Sequence, residues 1–138
     1  MRRTMMKSKI HRARVTGADL NYVGSISLDP ELMALADILE WEKVHVLDID
    51  NGARFETYAI TGGPGQVTLN GAAARLVHPG DRVIVITYAE YDEAELDGFA
   101  PVIVHVDDRN RALPDPAVPD LSGSDRLVRG RRDRGALT

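Results

Sequence analysis

Short runs in which apolar and polar residues alternate, separated by glycine- and proline-rich turns, recur along this chain. Alternation with a period of two is typical of β-strands with one buried face. It predicts seven strands, over residues 5–15, 24–28, 43–49, 53–60, 66–69, 82–88 and 101–106. The Asn51-Gly52 pair between two of these runs is a strong hairpin signal, because both residues tolerate positive φ. Many short strands joined by tight turns favour a mainly β fold, in the form of a small closed β-barrel.

One segment has helical periodicity instead. Asp29-Pro30 predicts its start, since an aspartate side chain caps the first backbone N–H groups and proline suits the first helical position. The apolar residues that follow predict the buried stripe of this helix, which is Leu32, Leu35, Ala36 and Leu39. A second, shorter helix is expected after the turn at Asn70-Gly71.

Length and cysteine content restrict the class of protein. A chain of 138 residues can form a single domain with a sizeable core. The absence of cysteine excludes disulfides, thiol nucleophiles and cysteine-ligated zinc. We find no signal peptide, and no apolar run approaches the roughly 18 residues that would span a membrane. We therefore expect a cytoplasmic protein with no membrane partner.

Charge is distributed unevenly, although the formal net charge is only −4. The first 18 residues hold six basic residues and no acidic residue. A nucleic-acid-binding arm would have this charge. However, interleaved apolar residues favour a strand with one solvated face, and no aromatic residue precedes Tyr22 to stack on a base. We expect no nucleic-acid partner; a basic pocket for a small anion fits the same charges.

The composition changes near Arg109. Residues 109–138 contain seven arginines and several prolines and glycines, with few large apolar residues. Such a segment cannot bury enough apolar surface to fold. The sequence predicts a folded domain over residues 1–108 and a disordered tail over residues 109–138.

The Gly24-Ser25 bond is the candidate for unusual chemistry. A serine hydroxyl can attack the carbonyl of the preceding residue and convert the amide into an ester. Elimination from that ester cuts the chain and leaves a dehydroalanine, which hydrolyses to a pyruvoyl group. An ordinary turn is the alternative for a Gly-Ser pair, since both residues are common in turns. We assign no chemistry to the second such pair, Gly123-Ser124.

Other side chains add weaker signals. The histidines show no metal-ligand spacing, so no metal is expected; they are His11, His45, His78 and His105. His11 stands out because it lies two residues from Lys9, on the same face of the predicted strand. Ser25, His11 and Asp19 could form a nucleophile triad on paper, but no Gly-x-Ser-x-Gly motif supports one.

Arg54, Thr57 and Tyr58 lie on the strand after the hairpin. Arginine suits a planar carboxylate, and a tyrosine can give a proton to a carbanion. Neighbouring residues on a strand point to opposite faces. Thr57 and Tyr58 can therefore serve one site only if the strand bulges there or if the site lies at a subunit contact.

Taken together, these residues make the chain resemble the bacterial aspartate 1-decarboxylases, which are pyruvoyl enzymes. Collinear matching stretches cover roughly residues 2–106, and together they are highly specific. They are Arg3-Thr4-Met5, Lys9-Ile10-His11-Arg12, Val15-Thr16-Gly17-Ala18-Asp19-Leu20, Tyr22-Val23-Gly24-Ser25, Asn51-Gly52-Ala53-Arg54-Phe55-Glu56-Thr57-Tyr58-Ala59-Ile60, Asn70-Gly71-Ala72-Ala73-Ala74 and Gly80-Asp81-Arg82-Val83-Ile84-Val85.

The resemblance implies a double-psi β-barrel and a homotetramer with active sites between subunits. It also implies autocatalytic cleavage between Gly24 and Ser25, giving a β-chain of residues 1–24 and an α-chain of residues 25–138. The pyruvoyl group made from Ser25 would be the covalent cofactor, with no metal. It would condense with L-aspartate as a Schiff base, and loss of carbon dioxide would give β-alanine for pantothenate and coenzyme A synthesis.

The resemblance also assigns roles to individual residues. Ser25 becomes the pyruvoyl group, Gly24 is the cleavage site and Tyr58 is the proton donor. The substrate-binding residues would be Thr57, Gly71, Ala72, Ala73, Arg54 and Lys9. His11, Tyr22 and Asn70 would support the site. Thr57 would also stabilise the oxyanion of the cleavage step.

Two departures from the family pattern are visible. Leu47 replaces an aromatic residue that some members carry, and Ile26-Ser27 puts a second serine near the nucleophile. A non-catalytic double-psi-barrel binding module and an unprocessed homologue are the alternative interpretations. Whether a separate maturation factor assists cleavage is left open by the sequence.

Overall fold

A computed structural model describes residues 1–114 of the chain. Eight strands dominate it, and all seven predicted strands are among them. They are β1 (Arg2–Arg14), β2 (Gly17–Asp19), β3 (Ser25–Leu28), β4 (Lys43–Asp48), β5 (Arg54–Thr61), β6 (Val67–Asn70), β7 (Arg82–Asp92) and β8 (Val102–His105). The short strand β2 is the one that the sequence pattern missed, because three residues are too few to show alternation.

The strands form one mixed sheet in the order β2-β6-β3-β5-β4-β7-β1-β8. The pairs β1–β8, β2–β6 and β3–β5 are parallel, whereas the other neighbours are antiparallel. The mainly β fold class is therefore confirmed. Within residues 1–114 no ladder joins the end strands β2 and β8, so closure into a double-psi barrel stays a prediction.

Strand β1 explains the imperfect alternation in its sequence. Ile10 pairs with Val85 and Ala13 with Val83, so that two residues of β1 face one residue of β7. The backbone of Arg12 has φ 67° at this bulge. Because the extra residue reverses the alternation, Ile10 and Ala13 are both fully buried although they are three residues apart.

Helix α1 (Pro30–Leu35) begins as predicted. The Asp29 side chain accepts hydrogen bonds from the backbone N–H groups of Glu31 and Leu32, at 2.6 and 3.2 Å. This cap satisfies two N–H groups that have no partner within the helix. Two 3₁₀ helices of six and four residues follow later in the chain, over Gly71–Leu76 and Glu93–Leu96.

The predicted buried stripe of α1 is only half right. Leu32 and Ala36 are fully buried, but Leu35 is 46% exposed and Leu39 is 70% exposed. The helix ends after six residues, and a positive φ of 55° at Asp37 redirects the chain. Helical periodicity therefore does not extend to Leu39, and the residues buried in place of this pair are Met33 and Ile38.

Hydrogen bonds attach the chain to the sheet beyond residue 108, where the domain boundary is expected. The side chain of Asn110 is 1% exposed. It accepts from Arg14 N at 2.7 Å and donates to Arg14 O at 2.8 Å and to Gly65 O at 3.0 Å. Leu113 N donates to His105 O at 2.8 Å. The boundary at residue 108 stays a prediction, although these bonds attach residues up to Leu113 to the rest of the chain. Residues 115–138 of the expected tail lie outside the described residues.

One apolar core lies against the inner side of the sheet. It consists mainly of aliphatic side chains, including Ile10, Val15, Ile26, Leu28, Leu32, Val44, Val46, Val67, Leu69, Val83 and Val85. None of the helices formed by residues 1–114 has the length and apolar character needed to span a membrane.

Candidate active site

Ser25 is held from two sides at the start of β3. It is fully buried and pairs with Asn70 of β6 in the antiparallel ladder. The Ser25 hydroxyl donates to the carbonyl oxygen of Val23 at 3.0 Å, and the Asn70 amide donates to Ser25 Oγ at 3.0 Å. The same amide donates to Ser27 Oγ at 3.1 Å. These contacts restrict rotation of the Ser25 hydroxyl and keep it beside the backbone that precedes it.

The backbone of Gly71 packs directly against that of Gly24. A Cβ atom added to Gly71 would lie 2.6 Å from Gly24 Cα, 2.8 Å from Gly24 N and 3.2 Å from Tyr22 O. Gly71 also has φ 69°, in the left-handed region that favours glycine. Two independent requirements therefore select glycine at this position, and the small residue lets two main-chain segments approach at the scissile bond.

Gly24 itself does not have a left-handed backbone conformation, since its φ lies outside that region. A Cβ at Gly24 would meet only Asn70 O, at 3.9 Å. The left-handed backbone is at Gly71 instead, in the segment that packs against the scissile bond.

Thr57 and Tyr58 lie on β5, the strand next to β3. The parallel register pairs Ile26 with Ala59, so that Ser25 and Tyr58 are the residues immediately before a paired position. Neighbouring strands are about 4.8 Å apart. Extending this register back by one and two residues places Tyr58 level with Ser25 and Thr57 level with Gly24, which precedes the first residue of β3.

Strand β5 is regular through these positions. Its pairing with β4 is continuous from Lys43–Tyr58 to Leu47–Arg54. Phe55 packs against the core and Ala59 is fully buried, so alternation places Thr57 on the core side and Tyr58 on the other side. A bulge is therefore not what lets both residues serve one site, which leaves a subunit contact as the remaining explanation.

Trp41 is a neighbour of Tyr58 that the sequence analysis missed. The two rings stack at a centroid distance of 5.6 Å and an interplanar angle of 27°. One signal in the sequence was available, because the only tryptophan of the chain lies between two glutamates, Glu40 and Glu42, where a core residue is not expected.

Lys9 and Arg54 are not brought to Ser25 within one chain. Lys9 lies on β1 between Ile86 of β7 and Ile103 of β8, and three strands separate β1 from β3 in the sheet order. Arg54 is exposed on β5, four residues from Tyr58, which corresponds to about 13 Å along a strand.

His11 forms a separate contact with His105 on β8. Their rings meet edge to face at a centroid distance of 5.4 Å. His11 Nδ1 and His105 Nε2 are buried and have no hydrogen-bond partner among the described residues. Burial, followed by the charges of Lys9, His105 and Arg12, lowers the pKa of His11. His11 thus contacts β8 and makes no hydrogen bond to Ser25.

The remaining predicted site residues flank the scissile bond. Ala72 and Ala73 follow Gly71 in the 3₁₀ helix; Ala72 is exposed and Ala73 is half-buried against the core. Tyr22 is 53% exposed. Its main-chain carbonyl oxygen faces Gly71. One chain thus brings together Tyr22, Gly24, Ser25, Asn70, Gly71, Ala72 and Ala73, with Thr57 and Tyr58 on the adjacent strand.

A cluster of three carboxylates lies away from these residues. One oxygen each of Asp48, Asp50 and Asp81 lies within 4.8 Å of the others. Burial, followed by a hydrogen bond to Asp81, raises the pKa of Asp48 to about 6, and the same hydrogen bond lowers the pKa of Asp81. Three carboxylates could bridge a cation, but by themselves they do not define a metal site. The opposite directions of the two pKa shifts mean that Asp48 is the carboxylate of this pair that takes up a proton first as pH falls.

A shallow cleft of about 240 Å³ lies elsewhere on the sheet. It is lined by Thr4, Lys43, Val44, His45, Glu56 and Tyr88. None of the residues predicted for the site lines it. The centre at Ser25 is thus distinguished by its main-chain packing and hydrogen bonds.

Comparisons with known proteins agree with this geometry. The family model described as aspartate decarboxylase matches residues 1–113, which includes the ordered segment up to Leu113. A protein of Heliobacterium modesticaldum named aspartate 1-decarboxylase is 59% identical over 117 residues, covering 83% of this chain and 89% of its own length.

Proposed function

The chain belongs to the aspartate decarboxylase family, and on this premise we propose that it cleaves itself at Gly24-Ser25 to make the pyruvoyl group with which it decarboxylates L-aspartate. The enzyme class, a carboxy-lyase that supplies β-alanine for pantothenate synthesis, follows from the family. The route by which this chain acquires its catalytic group is the proposal. The observation that carries it is the buried Ser25 hydroxyl, bonded on one side to Val23 O and on the other to the Asn70 amide.

Self-cleavage needs no outside protease, because the chain and one water supply every atom of the products. Ser25 Oγ attacks the Gly24 carbonyl carbon and displaces the Ser25 nitrogen, which turns the amide into an ester. Loss of the Cα proton of Ser25 then releases Gly24 as a carboxylate and leaves dehydroalanine at position 25. One water converts dehydroalanine into the pyruvoyl group and ammonia. The Asn70 amide supports the first step because it orients Oγ, and Thr57, which runs alongside Gly24 on β5, is the proposed donor to the oxyanion.

The residues around position 25 fit a pyruvoyl group. The group is small, uncharged and formed in place, and it replaces a buried serine that has Gly71 and Asn70 as its neighbours. A pyruvoyl ketone supplies an electrophilic carbonyl that accepts the electrons released on decarboxylation. Tyr58 holds the proton that the product receives at the former α-carbon, and its position alongside Ser25 supports this role.

Substrate binding requires more than one chain. Arg54 and Lys9 would hold the two carboxylates of L-aspartate, since a guanidinium binds a carboxylate through two parallel hydrogen bonds. These cations are remote from Ser25 within one chain, and the regular β5 points Thr57 and Tyr58 to opposite faces. A homotetramer with sites between subunits brings such groups together. We include this assembly, closure of the double-psi barrel, and a cytoplasmic location in the proposal.

The cleavage step is tested by intact mass and denaturing electrophoresis of the Ser25→Ala variant. We expect wild type to give two fragments whose summed mass equals that of the chain plus one water and minus one ammonia. Ser25→Ala should remain a single chain and form no β-alanine from labelled aspartate. A cut and active Ser25→Ala variant would refute the assignment of the nucleophile.

Ser27→Ala is the matched control, because Ser27 shares the Asn70 amide with Ser25 but does not follow a glycine. It should still be cut. A wild-type chain that stays whole and unreactive toward hydroxylamine after prolonged warming would instead identify an unprocessed homologue. A non-catalytic binding module, the other interpretation of the fold, would show the same intact chain.

A further inference from the structure

Trp41 lies in the connection between α1 and β4, with its ring on that of Tyr58. The two centroids are 5.6 Å apart and the planes are inclined by 27°. Trp41 is 69% exposed, whereas Tyr58 is half-buried. The indole therefore contributes little to the core and instead covers a face of the phenol.

The backbone at Trp41 is strained for such a large residue. Its φ is 76°, in a region that costs a bulky residue about 1–3 kcal/mol. Hydrogen bonds to one residue of β5 maintain this conformation: Trp41 N donates to Ala59 O at 2.7 Å, and Ala59 N donates to Glu42 O at 2.9 Å. Glycine would adopt the same backbone without strain. The strain is thus tolerated for a side chain that the core does not need.

The main-chain bonds also determine where the indole lies. Ala59 is the residue after Tyr58, so bonding of Trp41 to Ala59 places the indole over the preceding side chain of β5. Ala59 in turn pairs with Ile26, the residue after Ser25. One short path of backbone contacts therefore connects Trp41 with Tyr58 and with the strand that carries Ser25.

We propose that Trp41 is a positioning residue that holds the Tyr58 ring in its catalytic orientation. The inference rests on the proposed function, in which Tyr58 donates the proton to the product. Stacking restricts rotation of the phenol and excludes water from one of its faces. It does so at a cost to backbone stability, which predicts that stability and catalytic rate respond in opposite directions when the ring is removed.

Trp41→Gly and Trp41→Phe in the full-length, processed enzyme separate these two effects. Trp41→Gly relieves the strain, so its melting temperature should equal or exceed that of wild type. Its kcat should fall about 3- to 10-fold, the equivalent of one aromatic pair, with a smaller change in KM and an altered basic limb of the pH–rate profile. Trp41→Phe keeps a ring and should recover most of kcat.

Three results would overturn the inference. The first is Trp41→Gly with the kcat and pH profile of wild type. The second is a parallel loss of melting temperature and kcat in Trp41→Gly, which would indicate a purely structural side chain. The third is a change of oligomeric state in Trp41→Gly, measured by light scattering at the assay concentration, because the loss of rate would then follow from assembly.

Fluorescence tests the contact even if the chain proves inactive. Trp41 is the only tryptophan, so all indole emission comes from this site. Tyr58→Ala should shift the emission maximum and increase quenching by acrylamide. Tyr88→Ala is the control, because Tyr88 is also partly exposed but contacts His45. An unchanged spectrum in Tyr58→Ala would refute the stacked arrangement, whereas absence of β-alanine from wild type would refute the proposed function alone.

Discussion

The scissile bond and the residues expected to act on substrate are built in different ways. Around Gly24-Ser25, contacts within one chain determine the geometry: Asn70 donates to Ser25 Oγ, and Gly71 packs against Gly24. The cations expected to bind substrate are not held against the scissile bond by contacts of this kind. Arg54 is exposed, and Lys9 is separated from β3 by three strands.

This difference indicates that processing and turnover make separate demands on the protein. Processing depends on main-chain packing between β3, β6 and the 3₁₀ helix at Gly71–Leu76. In the proposed function, turnover depends on side chains of β1 and β5, two strands that are not neighbours in the sheet order. Substitutions at the scissile bond or at Thr57, the proposed oxyanion donor, should therefore impair processing, while substitution of Tyr58 on the other face of β5 should leave a processed but slow enzyme.

The largest effect is expected for Gly71→Ala. The new Cβ would lie 2.6 Å from Gly24 Cα and 2.8 Å from Gly24 N, and both are backbone atoms that cannot simply rotate away. The displaced segment should lose the alignment of Ser25 Oγ with the Gly24 carbonyl. We expect an essentially uncut chain without decarboxylase activity, observed by mass spectrometry over days at the temperature at which wild type matures.

Gly52→Ala is the matched control for that variant. Gly52 has φ 79°, but a Cβ there would meet nothing within 4 Å. Both substitutions impose the cost of a left-handed alanine, about 1 kcal/mol, and only one of them touches the scissile bond. Equal processing of the two variants would contradict the importance of close backbone approach at Gly71.

Tyr58→Phe is expected to have the next largest effect, and to affect turnover only. Its hydroxyl has no role in the cleavage chemistry, so the chain should be cut at the normal rate. Loss of a positioned proton donor typically lowers kcat about 10²- to 10⁴-fold. Single-turnover and steady-state assays on the processed variant measure this. Tyr88→Phe, which loses a hydroxyl 3.3 Å from His45 Nδ1, is the control and should retain activity. A fully active Tyr58→Phe enzyme would remove Tyr58 from the proposed reaction.

Local features of the fold could be predicted from the sequence, whereas features set by contacts between distant segments could not. Strands, the Asp29 cap and the mainly β class follow from local periodicity and turn chemistry, and the structure confirms them. The bulge at Arg12 and the early end of α1 were not predictable, because they are set by packing of distant segments. The burial of Asn110 is of the same kind, since its partners, Arg14 and Gly65, are far away in the chain.

At the candidate site, sequence motifs identified the residues but not their geometry. The Gly24-Ser25 pair indicates where the chain would be cut, whereas the positive φ is at Gly71, 47 residues later, and this has no signal near the pair. The stacking of Trp41 on Tyr58 joins a loop to a strand and has no periodic signature. The Asp48–Asp81 contact was also missed, because it brings together two distant turns.

Asp48→Asn should have the smallest effect, on stability and not on processing. The carboxyl of Asp48 is buried near that of Asp81, and its pKa is raised to about 6 from an ordinary 3.8. Because the folded state binds this proton more tightly than the unfolded state, the group's contribution to stability is fully present below pH 3.8 and is lost as pH rises through about 6. An asparagine amide donates to Asp81 at any pH. We therefore expect Asp48→Asn to be more stable than wild type at pH 7.5, by about 1–3 kcal/mol, with little difference at pH 5.

Urea unfolding at pH 5 and 7.5, at one protomer concentration, measures the difference between the two proteins. His11 acts in the opposite sense, since its pKa is lowered and its contribution is lost on acidification. Asp48→Asn should therefore lose stability as pH falls from 7.5 to 5, whereas the stability of wild type should rise or stay level. If the two proteins show the same pH slope, folding does not raise the pKa of Asp48. If Asp48→Asn also stops cleavage, the hairpin and the scissile bond are coupled, and the separation of processing from the rest of the sheet fails.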